Sequence, residues 1–266
     1  MTLRRLTLLG VIAAALLACL GAAVDCNPAG PCGFVLGQVG SWGPSSLAPG
    51  LLLGLWACAG WTLRLGITVA RVSMELRELP RIPIPTLFAM TASEAGIKRI
   101  ACVQAGSPTA FCGGFVRPTV FVSDTALAEL SEAELAAVLH HEADHAHRLE
   151  PLRRAAQAAA GDVLPFLPII KWWSERRIER CELEADAVAE RLAGRTALAG
   201  ALLVMSAPAG RLAAFAGQTE LRAMRLLGVK IEKSRPPRPI WIATFLYGWM
   251  ALAVAGCMFE AAIALT

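Results

Sequence analysis

Long charge-free apolar runs alternate with polar stretches along this chain, and the runs set its organisation. Leu6–Val24 is 19 residues without a charge, preceded by Arg4 and Arg5. That is close to the roughly 20 residues a helix needs to cross a hydrocarbon core about 30 Å thick. A secretory signal peptide is the rival reading, and Leu16–Cys19 (LLAC) resembles a lipoprotein cleavage box. The run continues past Cys19 for longer than a usual signal core, which favours a retained span over about 6–24. A second span is predicted over about 47–63, ending at Arg64, and a third over 240–265, behind the basic, proline-rich stretch VKIEKSRPPRP. The chain then divides into an N-terminal membrane region (1–71), a more polar region of domain size (72–239) and a C-terminal transmembrane helix (240–266).

Within the polar region the pattern changes twice. After the proline-rich link ELPRIPIPT, the runs Arg99–Gln104, Ala110–Phe115 and Thr119–Ser123 are rich in β-branched and aromatic residues and separated by Gly and Pro. They predict a small antiparallel sheet. From Ser131 onward the spacing is helical. Ser131 and Glu134 form an S-x-x-E capping box, and one helix is expected from there to Pro151. The stretch 155–173 is apolar but interrupted by Asp162, Pro165 and Pro168. It reads as a fourth span, a re-entrant hairpin or a surface-lying helix.

Charge orients these elements. The loop between the first two spans carries Asp25 and no Lys or Arg, whereas Arg4, Arg5, Arg64, Arg71, Arg77 and Arg81 flank the other sides. The positive-inside rule places the N-terminus and the polar domain in the cytoplasm. A hydrophobic fraction of 56% with a net charge of +4 suits a protein of the plasma or inner membrane, with lipid as neighbour, and gives no footprint for direct nucleic-acid binding. None of the eight cysteines forms a C-x-x-C pair. Cys26 and Cys32 share one short loop, where a disulfide is an open question.

All four histidines fall between His140 and His147. Inside that stretch, His141-Glu142-Ala143-Asp144-His145 fits H-E-x-x-H. On a helix, positions i and i+4 share a face, so two imidazoles can hold one zinc ion with Glu142 beside them as general base. The competing reading is a polar helix face. A catalytic zinc usually takes three protein ligands, and no histidine remains after His147. Asp, Glu or Cys must supply the third. The acidic helix expected over Ser174–Leu192 offers Glu182 and Asp186 four apart, with Glu179 and Glu184 equally admissible by spacing. An ordinary solvated face is the alternative there too.

The run from Phe111 to Arg154, followed by Trp172–Leu192, resembles the BlaR/MecR-type membrane metallopeptidases, peptidase family M-56. The shared features are a G-x-x-R-P-x-x-x-V-S-like strand (Gly114 to Ser123), E-L-x-x-V-x-x-H-E-x-x-H (Glu134 to His145) and E-x-x-x-D (Glu182 to Asp186). HtpX-like and CAAX-processing membrane peptidases carry the same H-E-x-x-H…E-x-x-x-D logic. The resemblance implies one zinc ion held by His141, His145 and Glu182, Glu142 as base, and Asp186 supporting a ligand histidine. It implies a mainly α membrane protein: about three transmembrane helices around a cytoplasmic α+β, gluzincin-like zincin domain. With Glu182 a ligand, 155–173 cannot cross the membrane once, which leaves a re-entrant or surface segment. The expected activity is endopeptidase cleavage of a cytoplasmic or membrane-associated protein, with a transcriptional repressor implied by the family. The alternatives are a quality-control peptidase and a non-catalytic scaffold retaining the zinc site. Thr119, Val120, Phe121, Val122 and Ser123 are expected either as a strand that pairs with an extended substrate or as an ordinary core strand. The oxyanion donor is open among Arg117, Arg176 and Arg180. The family's antibiotic sensors carry a penicillin-binding domain after the last span, which is not found here, so a separate sensor partner is expected.

Overall fold

A computed structural model describes residues 48–205, 222, 225 and 235–264, with side chains described for 50–205, 222, 225 and 235–256. The expected first span at 6–24 and the Cys26/Cys32 loop lie outside the described residues. The described elements are α1 (Ala48–Glu78), β1 (Arg81–Ile82), α2 (Thr86–Glu94), β2 (Ile100–Val103), β3 (Ala110–Gly113), β4 (Thr119–Ser123), α3 (Asp124–Glu129), α4 (Glu132–His147), α5 (Glu150–Val163), α6 (Pro168–Ala193), α7 (Arg195–Met205) and α8 (Arg238–Ala264). They fall into two compact units.

The first unit contains α1 up to Thr62, the α5–α6 turn and α8. Gly50–Glu78 and Arg238–Gly256 are long and apolar enough to cross a membrane. Leu51, Leu55 and Trp56 on α1, and Trp241, Phe245 and Trp249 on α8, are exposed. Helix α1 does not stop at the first charge. Residues 64–78 contain no proline, the first being Pro80, and the 31 residues of the helix extend about 46 Å, well beyond a hydrocarbon core. In the same unit, the backbone N–H of Ile169 donates to Thr244 Oγ1 (3.2 Å).

The second unit is built on a four-stranded sheet of order β1-β2-β4-β3. The expected antiparallel sheet is mixed: β1–β2 and β3–β4 pair antiparallel, but β2 and β4 run parallel. The connection through Gly106-Ser107-Pro108 carries the chain past the neighbouring position to the far edge. Strand β4 then returns into the gap. Alternation of apolar residues is the same for either pairing, so the sequence could not separate them. Strand β1 forms within the proline-rich link, its two residues pairing with Val103 and Cys102 at the sheet margin, where proline neighbours are tolerated.

Position β4 has a direct consequence. Thr119–Ser123 is hydrogen-bonded on both sides, and Val120 to Ser123 are buried. The substrate-strand expectation for Thr119, Val120, Phe121, Val122 and Ser123 is therefore corrected to a core strand, because no free backbone edge remains. The surrounding motif is structural as well. Gly114 adopts φ +89, and a Cβ there would stand 3.0 Å from the Arg117 carbonyl oxygen, so glycine makes the β3–β4 turn. Ser123 Oγ accepts from the backbone N–H of Thr109 (2.9 Å) and Ala126 (3.0 Å), capping α3.

One sheet face packs Cys102, Val120 and Val122 against Phe88, Leu135, Val138 and Leu139 of the helices. The other buries Ala101, Val103 and Phe121 under Leu76 of α1. Arg64 Nε donates to Asp162 Oδ2 (2.6 Å), fastening α1 to α5. Helix α4 starts as expected: Ser131 Oγ accepts from Glu134 N, and the Glu134 carboxylate accepts from Ser131 N. It ends sooner than expected. Leu149 sits at φ +53, and Pro151 lies in the first turn of α5 rather than closing α4. Proline's missing N–H costs nothing there.

Ser131→Ala should lower unfolding stability by about 1 kcal/mol, the usual worth of a serine N-cap. Denaturant unfolding of the detergent-solubilised protein checks this, and an unchanged midpoint would mean that the box does not anchor α4.

Candidate active site

Helix α4 carries the histidines on a continuation of its buried stripe, since Val138 stands three, four and seven residues before His141, Glu142 and His145. Leu135, Val138 and Leu139 lock it onto the sheet, which turns His141, Glu142 and His145 into the interior, each buried. The Nε2 atoms of His141 and His145 lie 3.1 Å apart, and the rings meet edge to face. Helix α6 supplies the rest. Helices α5 and α6 fold back on one another across the break at 164–167, which brings together Arg154 and Glu182, 28 residues apart, and Glu150 and Arg177, 27 apart. This reversal brings Glu182 over the histidines, with Oε2 at 3.4 Å from His141 Nε2 and Oε1 at 3.5 Å from His145 Nε2. Stretch 155–173 accordingly forms the adjoining ends of two helices with a break at 164–167.

The donor set fits zinc. A tetrahedral site with ligands at about 2.0–2.1 Å places its ligand atoms about 3.3–3.4 Å from one another. The His141–His145 spacing of 3.1 Å and the 3.4 Å from His141 Nε2 to Glu182 Oε2 lie close to that value. Three ligand atoms, one from each residue, lie within 4.8 Å of one another. The other nitrogen of His141, Nδ1, faces Asp186 Oδ1 at 3.0 Å, the carboxylate contact that fixes the tautomer of a metal-binding imidazole. Glu179 and Glu184, left open by spacing, are elsewhere: Glu179 pairs with Arg176 (2.7 Å), and Glu184 with Arg148.

The site's electrostatics call for a cation. Burial alone would push the His141 imidazole down, but hydrogen bonds to Asp186 and Glu182 outweigh it and raise the pKa to about 9. Burial works to raise both carboxylates, yet Glu182 is lowered by hydrogen bonds from His141 and His145. Asp186 is lowered by hydrogen bonds from His141 and Arg222. A proton on His141 thus supplies charge that a metal would supply instead. His140 is half-buried, with its pKa lowered by that burial, and His147 is exposed; neither is among the grouped ligand atoms.

Two arginines join the site without having been read from the sequence. Arg222 grips Asp186 through Nη2–Oδ1 (2.6 Å) and Nε–Oδ2 (2.9 Å). Arg154 of α5 donates from Nη2 to Glu182 Oε1 at 2.5 Å. Nothing in the local pattern marks either one; only the packing of α5 on α6, and the return of the chain at 222, brings them in. The arginines considered as oxyanion donors lie elsewhere: Arg117 is exposed, Arg176 pairs with Glu179, and Arg180 Nε donates to the Arg176 carbonyl.

Purified protein should hold one equivalent of zinc, lost in His145→Ala and in Glu182→Ala. Asp186→Asn should keep the site but weaken zinc affinity by about 10–100-fold, as loss of a ligand-supporting partner does. Metal titration against a chelating dye measures both, and full zinc affinity in Asp186→Asn would remove that residue from the site.

No curated protein matches the chain. Residues 87–172 match the family model described as Peptidase family M48. The match spans α2, the strands β2 to β4 and both histidines. It stops ten residues short of Glu182. The matched family differs from M-56, whose motifs the sequence resembles, although the H-E-x-x-H…E arrangement is the same. The segment 87–172 is thus similar to the Peptidase family M48 model, Glu182 from α6 joins its two histidines in one metal site, and the chain is a zinc metallopeptidase.

Proposed function

We propose that this zinc metallopeptidase is a membrane-anchored endopeptidase of the plasma or inner membrane, with its site on the cytoplasmic side, cutting an extended segment of a protein in or near the membrane. The observation that carries it is the joining of His141, His145 and Glu182 in a chain with two helices long and apolar enough to span. The arginines at 64, 71, 77 and 81, just beyond the apolar end of α1, support the cytoplasmic orientation.

In this reading Glu142, buried on α4 between the two histidines in sequence, takes a proton from the attacking water and passes it to the leaving amine. Asp186 accepts from His141 Nδ1 and so turns Nε2 toward the cluster. Zinc, when bound, supplies a Lewis acid that lowers the pKa of water toward neutrality and polarises the scissile carbonyl. The substrate edge moves from β4 to β3, one of the sheet's two outer strands. The Cys112 thiol on β3 is pushed up to about 12, first by burial and then by the charge of Glu142, which puts this strand within electrostatic reach of the base. An extended peptide paired with β3 would pass beside Glu142. Cleavage of a transcriptional repressor under a sensor partner rests on the Gly114–Ser123 and E-x-x-x-D motifs alone, since the family match is to M48.

Glu142→Gln should retain zinc while kcat falls by at least about 100-fold, the scale of general-base catalysis. The assay is cleavage of a membrane-tethered unfolded reporter by protein reconstituted in vesicles. Undiminished cleavage by Glu142→Gln, or by metal-stripped wild type, would overturn the reading.

A further inference from the structure

The Glu182 carboxylate straddles the two histidines. Oε2 lies 3.4 Å from His141 Nε2, and Oε1 lies 3.5 Å from His145 Nε2. Left to itself, a carboxylate so placed could close both oxygens on one ion. That would fill the position a catalytic zinc keeps free for water and substrate. The two oxygens are not equivalent here. Arg154 Nη2 hydrogen-bonds Oε1 at 2.5 Å, whereas Nη1 of Arg222 stands 3.7 Å from Oε2, beyond hydrogen-bond reach. Among the described residues, Glu182 is the one carboxylate within ion-pair distance of Arg154, and the buried Nε of Arg154 has no partner. The guanidinium is therefore committed to that single oxygen.

From this asymmetry we propose that Arg154 is a positioning residue that restricts Glu182 to metal ligation through Oε2 alone, keeping the fourth coordination position open. The inference rests on the zinc-peptidase reading of the site and names what sets its coordination number. An ionised guanidinium is suited to this because it cannot lose its proton in a protein and gives a charge-assisted bond that competes with a metal for oxygen. Helix α5 delivers it. Arg154 lies nine residues after His145, beyond the break at Leu149, so the angle between α4 and α5 decides whether it reaches Glu182. Arg222 serves the neighbouring carboxylate, so Glu182 and Asp186 each have their own arginine, from different parts of the chain.

The test uses full-length protein in detergent, loaded with Co2+, together with Arg154→Ala and Arg154→Lys. Wild type should take up one cobalt and show the intense visible bands of four-coordinate Co2+. In Arg154→Ala the metal should stay at one equivalent while the bands weaken toward a five-coordinate spectrum. The zinc form of that variant should lose about 10–100-fold in kcat, the range for residues that orient ligands, with KM nearly unchanged. Arg154→Lys should restore part of both signals, since an ammonium can still occupy Oε1. A wild-type cobalt spectrum in Arg154→Ala overturns the inference and leaves the zinc site standing. Metal lost from Arg154→Ala and Arg154→Lys alike also overturns it, because the arginine would then hold the ligand in place rather than limit it. Wild type that binds no cobalt would sink the metal-site reading itself.

Discussion

Three carboxylates and two imidazoles cannot share a water-poor space the size of one ion without cations among them. Glu142, Asp186 and both histidines are buried, and Glu182 is nearly so. Ionised groups removed from water carry a solvation cost of several kcal/mol each unless charge and hydrogen bonds compensate. Arg154, Arg222 and the metal provide that compensation from three directions. Much of the second unit can be understood as the means of bringing them together: α4 for the histidines, the α5–α6 reversal for Glu182 and Arg154, and the returning chain for Arg222.

The apolar core gives this arrangement its rigidity. Helix α4 has one face keyed into the sheet through Leu135, Val138 and Leu139, and its small residue Ala137 meets Ala189 of α6 and Leu198 of α7. Alanine at these crossings lets helices approach closely, so Glu182 and Asp186, on the α6 turns just before Ala189, come within reach of α4. The polar site and the apolar contacts occupy successive turns on the same faces of these two helices: Ala137, His141 and His145 on α4, and Glu182, Asp186 and Ala189 on α6. Substituting a larger residue at Ala137 or Ala189 would act on the metal by moving a helix, without touching a ligand.

How much of this was legible depended on sequence distance. The i, i+4 histidines, the Glu142 between them and the Ser131–Glu134 box are local, so helical geometry alone places them. The Glu182–Asp186 pair was legible as a helix face, but its selection over Glu179 and Glu184 needed the folding back of α5 on α6. The sheet shows the opposite case. Its strands fall close to the expected positions, yet their pairing order does not, because placing β4 between β2 and β3 is decided by a six-residue connection and not by the strands. The substrate edge moved with that order. Arg154 and Arg222 look like any other arginine in a chain that has many, and their roles exist only through contacts 28 and 36 residues apart in sequence.

The joint at Leu149 couples α4 and α5 mechanically. Two helices meet there through a single left-handed residue, so the rotational phase of α5 relative to α4 is geared to residue count. A helix advances about 100° per residue. Adding or removing one residue at this joint would keep both helices intact and their composition unchanged, yet would turn the guanidinium of Arg154 more than a quarter-turn off the carboxylate. The six residues between β2 and β3 have slack and impose no such gearing. Over evolutionary time, length changes are therefore expected to gather in the sheet's connections and to be purged at the α4–α5 joint, where chain length itself carries the information.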